Sequence, residues 1–139
     1  MFYQSLDDFR RSIRPEYWIS GRVPGLFERV VDAYVSCLRE VAARRLDIVA
    51  ESIILPSDLP RYAELFGEFD VCLIGITCPL PVIRERELRR TDRYNGFLEP
   101  DLAGYEELKG HSYKLLIDTS VESTETSLSR ILDHLSEQR

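Results

Sequence analysis

Hydrophobic and polar positions follow two alternating periods along the chain, one typical of amphipathic helices and one typical of buried strands. The strongest helical pattern covers residues 26–45, where one face carries Leu26, Val30, Ala33, Tyr34, Cys37, Leu38 and Val41. Two nearly continuous apolar runs, residues 47–54 and 70–77, suit strands that are buried on both faces of a parallel sheet. Residues 14–25 hold two prolines and two glycines, which predicts a loop.

The remaining segments complete an order of helix, helix, strand, helix, strand, helix, helix, strand, helix. The further helices are predicted at residues 6–13, 58–66, 79–90, 99–109 and 121–135, and the third strand at residues 114–117. This alternation predicts an α/β fold whose parallel strands are joined by right-handed crossovers. The length of 139 residues favours a single domain over the whole chain.

The amino-acid composition limits the kinds of partner that we expect the protein to bind. The formal net charge of −6 argues against a nucleic-acid-binding domain, since such domains are usually basic. No apolar run approaches the length of a membrane span, and the first residues do not form a signal peptide, so we expect a cytoplasmic protein without a membrane partner. The two histidines lack metal-ligand spacing with the cysteines, and no metal site is predicted from them.

An arginine cluster at residues 84–93, RERELRRTDR, is the first candidate for chemistry. Arg86, Arg90 and Arg93 recur at helical spacing and would share one face of the predicted helix. Arginine presents a planar fork of donors that binds phosphate oxygens, so this face suits a nucleotide. The alternative is a solvated helix face on which Glu85 and Glu87 pair with the arginines.

Three carboxylates are the second set of candidates. Glu51 lies near the carboxyl end of a predicted strand, where ligands of open α/β sheets gather, and could hold water on Mg²⁺ or accept a proton. Asp7 and Asp8 lie at a predicted helix start, and one of them could be a general base. The alternatives are that Glu51 simply leads the chain into solvent, and that Asp7 and Asp8 cap the helix.

The 139-residue sequence contains no phosphate-binding loop of the form GxxxxGK[ST]. Such a loop needs a lysine followed by serine or threonine after a glycine-rich turn. The lysines here are Lys109, which precedes Gly110, and Lys114, which precedes Leu115.

Residues 69–96, FDVCLIGITCPLPVIRERELRRTDRYNG, nevertheless resemble chloramphenicol phosphotransferase-like proteins. In that family a strand leads through a Cys-Pro or similar step into a helix and an arginine-rich lid, which Arg86, Arg90, Asp92 and Arg93 match. Residues 112–120, SYKLLIDTS, resemble the family's closing strand. Residues 5–9, SLDDF, resemble a turn whose aspartate is the general base. Asp7 is the better match and Asp8 the alternative, and Glu51 stands where the family carries an acidic residue.

The resemblance implies a P-loop kinase fold, a three-layer arrangement around a parallel sheet, and transfer of phosphate from ATP to a hydroxyl of a small molecule with Mg²⁺. It also implies that the first strand and the phosphate loop of that fold are missing. In the family's strand order, residues 47–54 and 70–77 would then flank an empty position in the sheet. Three explanations are open: a truncated or misplaced start, direct pairing of the two strands, or a second chain in the gap. A degenerate fold that binds a partner or forms a homodimer is the alternative function.

Overall fold

The structure is a computed structural model that describes residues 1–14, 16–17, 23–52, 54, 58–91 and 113–137. The chain divides into two compact units, and each is described by itself. The first unit comprises Met1–Ile54 and Asp58–Phe69, and the second comprises Leu55–Ser57 and Asp70–Arg139. The helix predicted at residues 99–109 lies outside the described residues. A single domain over the chain stays a prediction.

In its described residues, the first unit contains two parallel strands and three helices with defined bounds. Its elements are β1 (Phe2–Ser5), α1 (Leu6–Arg11), α2 (Leu26–Ala43), β2 (Ile48–Glu51) and α3 (Leu59–Phe66). β1 and β2 pair in parallel, so that Phe2 lies beside Ile48 and Ser5 lies beside Glu51. The sequence pattern did not predict β1, because four residues of mixed polarity directly before a helix carry almost no periodicity.

Ser5 turns the chain from β1 into α1. Its backbone is extended, and its Oγ accepts a hydrogen bond of 3.0 Å from the Asp8 amide, which is an N-cap. Asp7 and Asp8 therefore lie in the first turn of the helix, as predicted. There their charges are favoured by the positive end of the helix dipole. Ser5 fills the capping role that the sequence left open for the two aspartates.

The hydrophobic core of the first unit forms where α1 and α2 meet the strands. Leu6, Tyr34, Val35 and Leu38 are buried, and the Phe9 ring packs edge-on against Tyr34 at 5.7 Å between ring centroids. The Tyr34 hydroxyl lies 3.0 Å from the carbonyl oxygen of Gln4 and 2.9 Å from that of Glu51. Its one hydrogen is therefore shared between two carbonyl acceptors, one on each strand. Burial raises the pKa of the Tyr34 phenol to about 12.

The second unit repeats the parallel arrangement with two later strands. Its elements are β3 (Ile74–Thr77), α4 (Leu80–Leu88), β4 (Leu115–Asp118) and α5 (Thr124–Glu137). Ile74 lies beside Leu115 and Thr77 beside Asp118. The ladder is extended at its carboxyl end by the Thr119 amide, which donates to the Thr77 carbonyl at 2.9 Å. Ile117 of β4 is fully buried.

The described strands are less covered than the sequence pattern predicts. Side chains expected to be buried on both faces are instead exposed by 48% at Val49 and 60% at Ile76. Among the described residues, β1 pairs with β2 and β3 pairs with β4. Within its ladder, each of these strands is therefore paired on one side. These pairings are those of the described residues. Among those residues, no helix combines the length and apolarity that crossing a membrane requires.

Gly75 of β3 is a glycine at which an added methyl group would meet close neighbours. A Cβ there would lie 2.7 Å from Leu116 Cδ1 and 2.9 Å from Tyr113 Cγ. We expect Gly75→Ala to lower the free energy of unfolding by about 1–3 kcal/mol through overpacking. The neighbouring Ile76→Ala, at an exposed side chain, should cost much less. Urea unfolding followed by circular dichroism measures both, and equal losses would contradict the assigned packing.

Tyr34 should make stability fall at alkaline pH. The phenol ionises near pH 10 in the unfolded chain and near 12 in the folded chain, so its contribution is complete below pH 10 and is lost as pH rises towards 12. Relative to Tyr34→Phe, the wild-type free energy of unfolding should drop by roughly 2 kcal/mol across this interval. Urea titrations of both proteins at a series of pH values measure the difference, and a difference that stays constant with pH would contradict the buried-phenol account.

Candidate active site

Polar groups gather at the carboxyl end of each parallel ladder. Because the strands of a ladder run in the same direction, their carboxyl ends meet at one edge, and loops there collect groups from both strands. In the first unit this edge is formed by Ser5 and Glu51, which are register partners. In the second unit it is formed by Thr77 and Asp118.

The predicted carboxylates all belong to the edge of the first unit. Glu51 is the last residue of β2, and its side chain is exposed. The Tyr3 hydroxyl donates to Glu51 Oε2 at 3.4 Å, and the Glu51 carbonyl accepts from Tyr34 at 2.9 Å. Asp7 and Asp8 follow the register partner of Glu51 by two and three positions. Ser5 therefore connects the two aspartates to the strand end that carries Glu51.

Asp7 and Asp8 each form an ion pair within α1. Arg10 Nη1 lies 3.2 Å from Asp7 Oδ1, and Arg11 Nη1 lies 2.7 Å from Asp8 Oδ1. The Asp7 side chain is 71% exposed and the Asp8 side chain 50%. Exposed pairs of this kind contribute little to stability and exchange readily with solvent. Asp7, with the longer contact and the greater exposure, is the more accessible carboxylate for a ligand.

Arg10 also fixes α1 against the start of α2. Its guanidinium carbon lies 5.6 Å from the centroid of the Phe27 ring, within the range of a cation–π contact. The same guanidinium donates to Asp7. The orientation of Asp7 is thereby linked to the packing of the two helices.

The second unit holds Arg86 at its carboxyl edge. Arg86 Nη1 donates to Thr119 Oγ1 at 3.0 Å, and Nη2 donates to the Thr119 carbonyl at 2.7 Å. Thr119 Oγ1 in turn donates to the Thr77 carbonyl at 3.1 Å. A chain of hydrogen bonds thus runs from α4 through the turn after β4 to the end of β3.

Asp118 shapes the turn that follows β4. Its Oδ1 accepts from the Ser120 amide at 2.8 Å and from the Ser120 hydroxyl at 2.6 Å. A side-chain oxygen that bonds the backbone two residues on stabilises a tight turn. This turn presents Thr119 to Arg86.

Of the arginine face predicted from Arg86, Arg90 and Arg93, the structure describes Arg86 and Arg90. Arg86 contacts Thr119, whereas Arg89 pairs with Glu85 at 2.6 Å, as the solvated-face alternative predicts for that pair. α4 ends at Leu88, so Arg90 lies beyond the helix, in the turn where its amide donates to the Glu87 carbonyl at 3.1 Å. A helix therefore does not align Arg90 with Arg86, because the last helical hydrogen bonds stop before it. Arg93 lies outside the described residues.

A metal ion would find few direct ligands in the described parts of the chain. They contain no group of three or more histidine, cysteine, aspartate or glutamate side chains that could hold one.

Sequence reasoning missed the residues that hold the candidate groups in place. Tyr34 falls on the apolar face of α2, where a core role is the ordinary expectation, and nothing local shows that its hydroxyl reaches two strands. Thr119 lies in the segment that resembles the family's closing strand, but its contact to Arg86 was not predicted. Ser5 was detectable, since a serine three positions before an aspartate at a helix start is a capping signal.

Comparison with known proteins identifies the family. The family model for chloramphenicol phosphotransferase-like proteins matches residues 13–136, which is most of the chain and includes Glu51 and Arg86. Asp7 and Asp8 precede the matched residues. A search of curated proteins finds no significant match. The match over residues 13–136 shows that the chain belongs to the chloramphenicol phosphotransferase-like family.

Proposed function

We propose that this protein is built for ATP-dependent transfer of phosphate to a hydroxyl group of a small molecule. Family membership supplies the class of reaction. The structural observation that carries the assignment of residues is the register that sets Glu51 beside Ser5, directly before Asp7 and Asp8. The edge of a parallel ladder is where such a fold gathers its ligand-binding groups.

Asp7 is the proposed general base, with Asp8 as the alternative. A base has to be reachable by the acceptor hydroxyl, and Asp7 has the more exposed carboxylate of the two. The Arg10 contact orients its Oδ1 without burying it. Glu51 is proposed to order Mg²⁺ through water, and the ion when bound would supply charge neutralisation at the phosphates.

Arg86 is the proposed contact to the phosphoryl group, together with Arg90 and Arg93. A guanidinium carries five N–H donors, so Arg86 is able to bond Thr119 and still donate to an anion. The Thr119 contact pre-orients the side chain, which lowers the entropy lost on binding. The role follows from the chemistry of phosphoryl transfer, in which arginine neutralises developing charge.

The 139 residues do not contain a GxxxxGK[ST] motif, and this sets the activity that we expect of them. That loop would cradle the β-phosphate with backbone amides and provide a hydroxyl for Mg²⁺. Without it, the proposed groups act on a nucleotide that is poorly held. We therefore expect weak ATP binding and slow or undetectable turnover by these 139 residues alone.

Nucleotide titration tests the arginine assignment without requiring turnover. ATP with Mg²⁺ should shift the amide resonances of the Asp118–Ser120 turn with a Kd of roughly 1 mM or weaker. Arg86→Ala should weaken this response at least several-fold. The matched control is Arg89→Ala, which removes a guanidinium that pairs with Glu85 on the same helix. Robust ATP consumption by the purified chain, or equal effects of the two substitutions, would contradict the proposal.

The general base is tested in a fusion that adds a strand and phosphate loop before residue 1. The acceptor substrate is first found by screening small molecules that carry hydroxyl groups with radiolabelled ATP. With that substrate, Asp7→Asn should lower kcat about 10²–10⁴-fold. Asp8→Asn is the parallel test of the alternative, and Asp47→Asn is the exposed control in the same unit. A loss confined to Asp8→Asn assigns the role to Asp8, and unchanged kcat in both variants refutes an aspartate base at this turn.

A non-catalytic binding or dimerisation module is the second candidate function. The observation that favours it is the exposure of apolar strand side chains, 60% at Ile76 and 42% at Leu116, where parallel strands are usually covered. A second copy of this chain is the proposed partner.

Sedimentation equilibrium tests this alternative. We expect a concentration-dependent dimer that Ile76→Glu weakens by at least tenfold in Kd, because a buried unpaired charge is costly. Leu88→Glu alters an exposed leucine of α4 and serves as the control. A monomer at every concentration would rule out dimerisation.

A further inference from the structure

The Tyr34 hydroxyl lies between the two strands of the first unit at the end where the candidate carboxylates are found. It is 3.0 Å from the Gln4 carbonyl oxygen of β1 and 2.9 Å from the Glu51 carbonyl oxygen of β2. Tyr34 is fully buried, so its hydroxyl is shielded from water. One side chain of α2 therefore bonds both strands.

The position of these carbonyls matters because the ladder stops there. Ser5 and Glu51 are the last register partners, and beyond them the chain enters α1 on one side and leaves β2 on the other. No later rung of the β1–β2 ladder restrains these two strand ends in the described residues. The Tyr34 hydroxyl supplies a side-chain restraint at this point.

The phenol ring is itself packed against α1. Phe9 of α1 packs edge-on against it, and Leu6 of α1 belongs to the same buried cluster. The helix that carries Asp7 thus rests on the ring whose hydroxyl bonds the backbone of Glu51. The Tyr3 contact to the Glu51 carboxylate is longer, at 3.4 Å, and exposed. The buried contact is consequently the stronger restraint on Glu51.

We propose that Tyr34 is a positioning residue, whose hydroxyl fixes the Glu51 backbone relative to the Ser5–Asp8 turn. Its importance for catalysis rests on the proposed function, in which Asp7 or Asp8 and Glu51 act on the same substrate. The geometric restraint itself is independent of turnover. Tyr34 does not touch the reacting atoms in this role and acts through the backbone of both strands.

Tyr34→Phe tests the restraint, since it keeps the ring and its contact with Phe9 and removes only the hydroxyl. Tyr62→Phe is the matched control, because Tyr62 is a half-buried phenol of the same unit that hydrogen-bonds the Ser52 side chain. Both substitutions should lower stability, so stability alone does not separate positioning from packing. The separating measurement is the carbonyl carbon chemical shift of Gln4 and Glu51 in labelled, folded protein.

We expect Tyr34→Phe to move both carbonyl shifts, and to move the amide resonances of Asp7 and Asp8 with them. Tyr62→Phe should leave the Gln4 carbonyl and the α1 amides unchanged. If Tyr34→Phe alters neither carbonyl, or alters them no more than the control does, the restraint is absent and the inference is wrong. This result is obtained whether or not the protein transfers phosphate.

Activity in the phosphate-loop fusion provides the second measurement. Tyr34→Phe should lower kcat by roughly tenfold or more with little change in KM, as expected when catalytic groups are misplaced but binding is kept. Tyr62→Phe should keep both constants near wild type. If Tyr34→Phe moves the carbonyl chemical shifts but leaves kcat unchanged, the link to catalysis is wrong and the structural restraint stands. A fusion without any transfer would instead count against the proposed function.

Discussion

The parallel pairing of β1 with β2 is the constraint on which the candidate site depends. Parallel pairing brings both carboxyl ends to one edge, and the register that sets Ser5 beside Glu51 decides which residues meet there. A shift of one position would move Glu51 to the other face of the ladder, because side chains alternate along a strand. The Ser5 Oγ and the Tyr34 hydroxyl both bond backbone groups at or next to this last rung, so these side chains hold the two strand ends that carry the carboxylates.

Much of the fold was accessible from the sequence, for reasons that differ between elements. The helical period of α2 extends over five turns, and the predicted start at Leu26 agrees with the structure. The strand at residues 70–77 was found from its apolar run but is shorter than that run, since pairing with β4 defines only Ile74–Thr77. β1 was missed because its four residues of mixed polarity carry almost no periodicity.

The candidate site was predictable in its residue types and less so in its contacts. Asp7 and Asp8 were expected at a helix start, where α1 places them. The alignment of Arg86 with Arg90 relied on a helix that ends two residues earlier than expected, at Leu88. The contact of Arg86 with Thr119 joins positions 33 residues apart, so spacing alone did not reveal it. Local periodicity predicts which side chains share a helix face, but it does not predict which loop will contact that face.

The two edges differ in how they hold their charged groups, and this difference bears on how a degenerate family member could lose or keep function. The carboxylate edge is maintained by a cap, a ladder rung and a buried phenol, all of which also stabilise the fold. The arginine edge is maintained by an exposed side chain that bonds a threonine turn. The contacts that place Asp7, Asp8 and Glu51 therefore stabilise the fold whether or not the protein transfers phosphate. Family membership and a well-formed carboxylate edge are for that reason weak signs of activity, because one fold supports many functions.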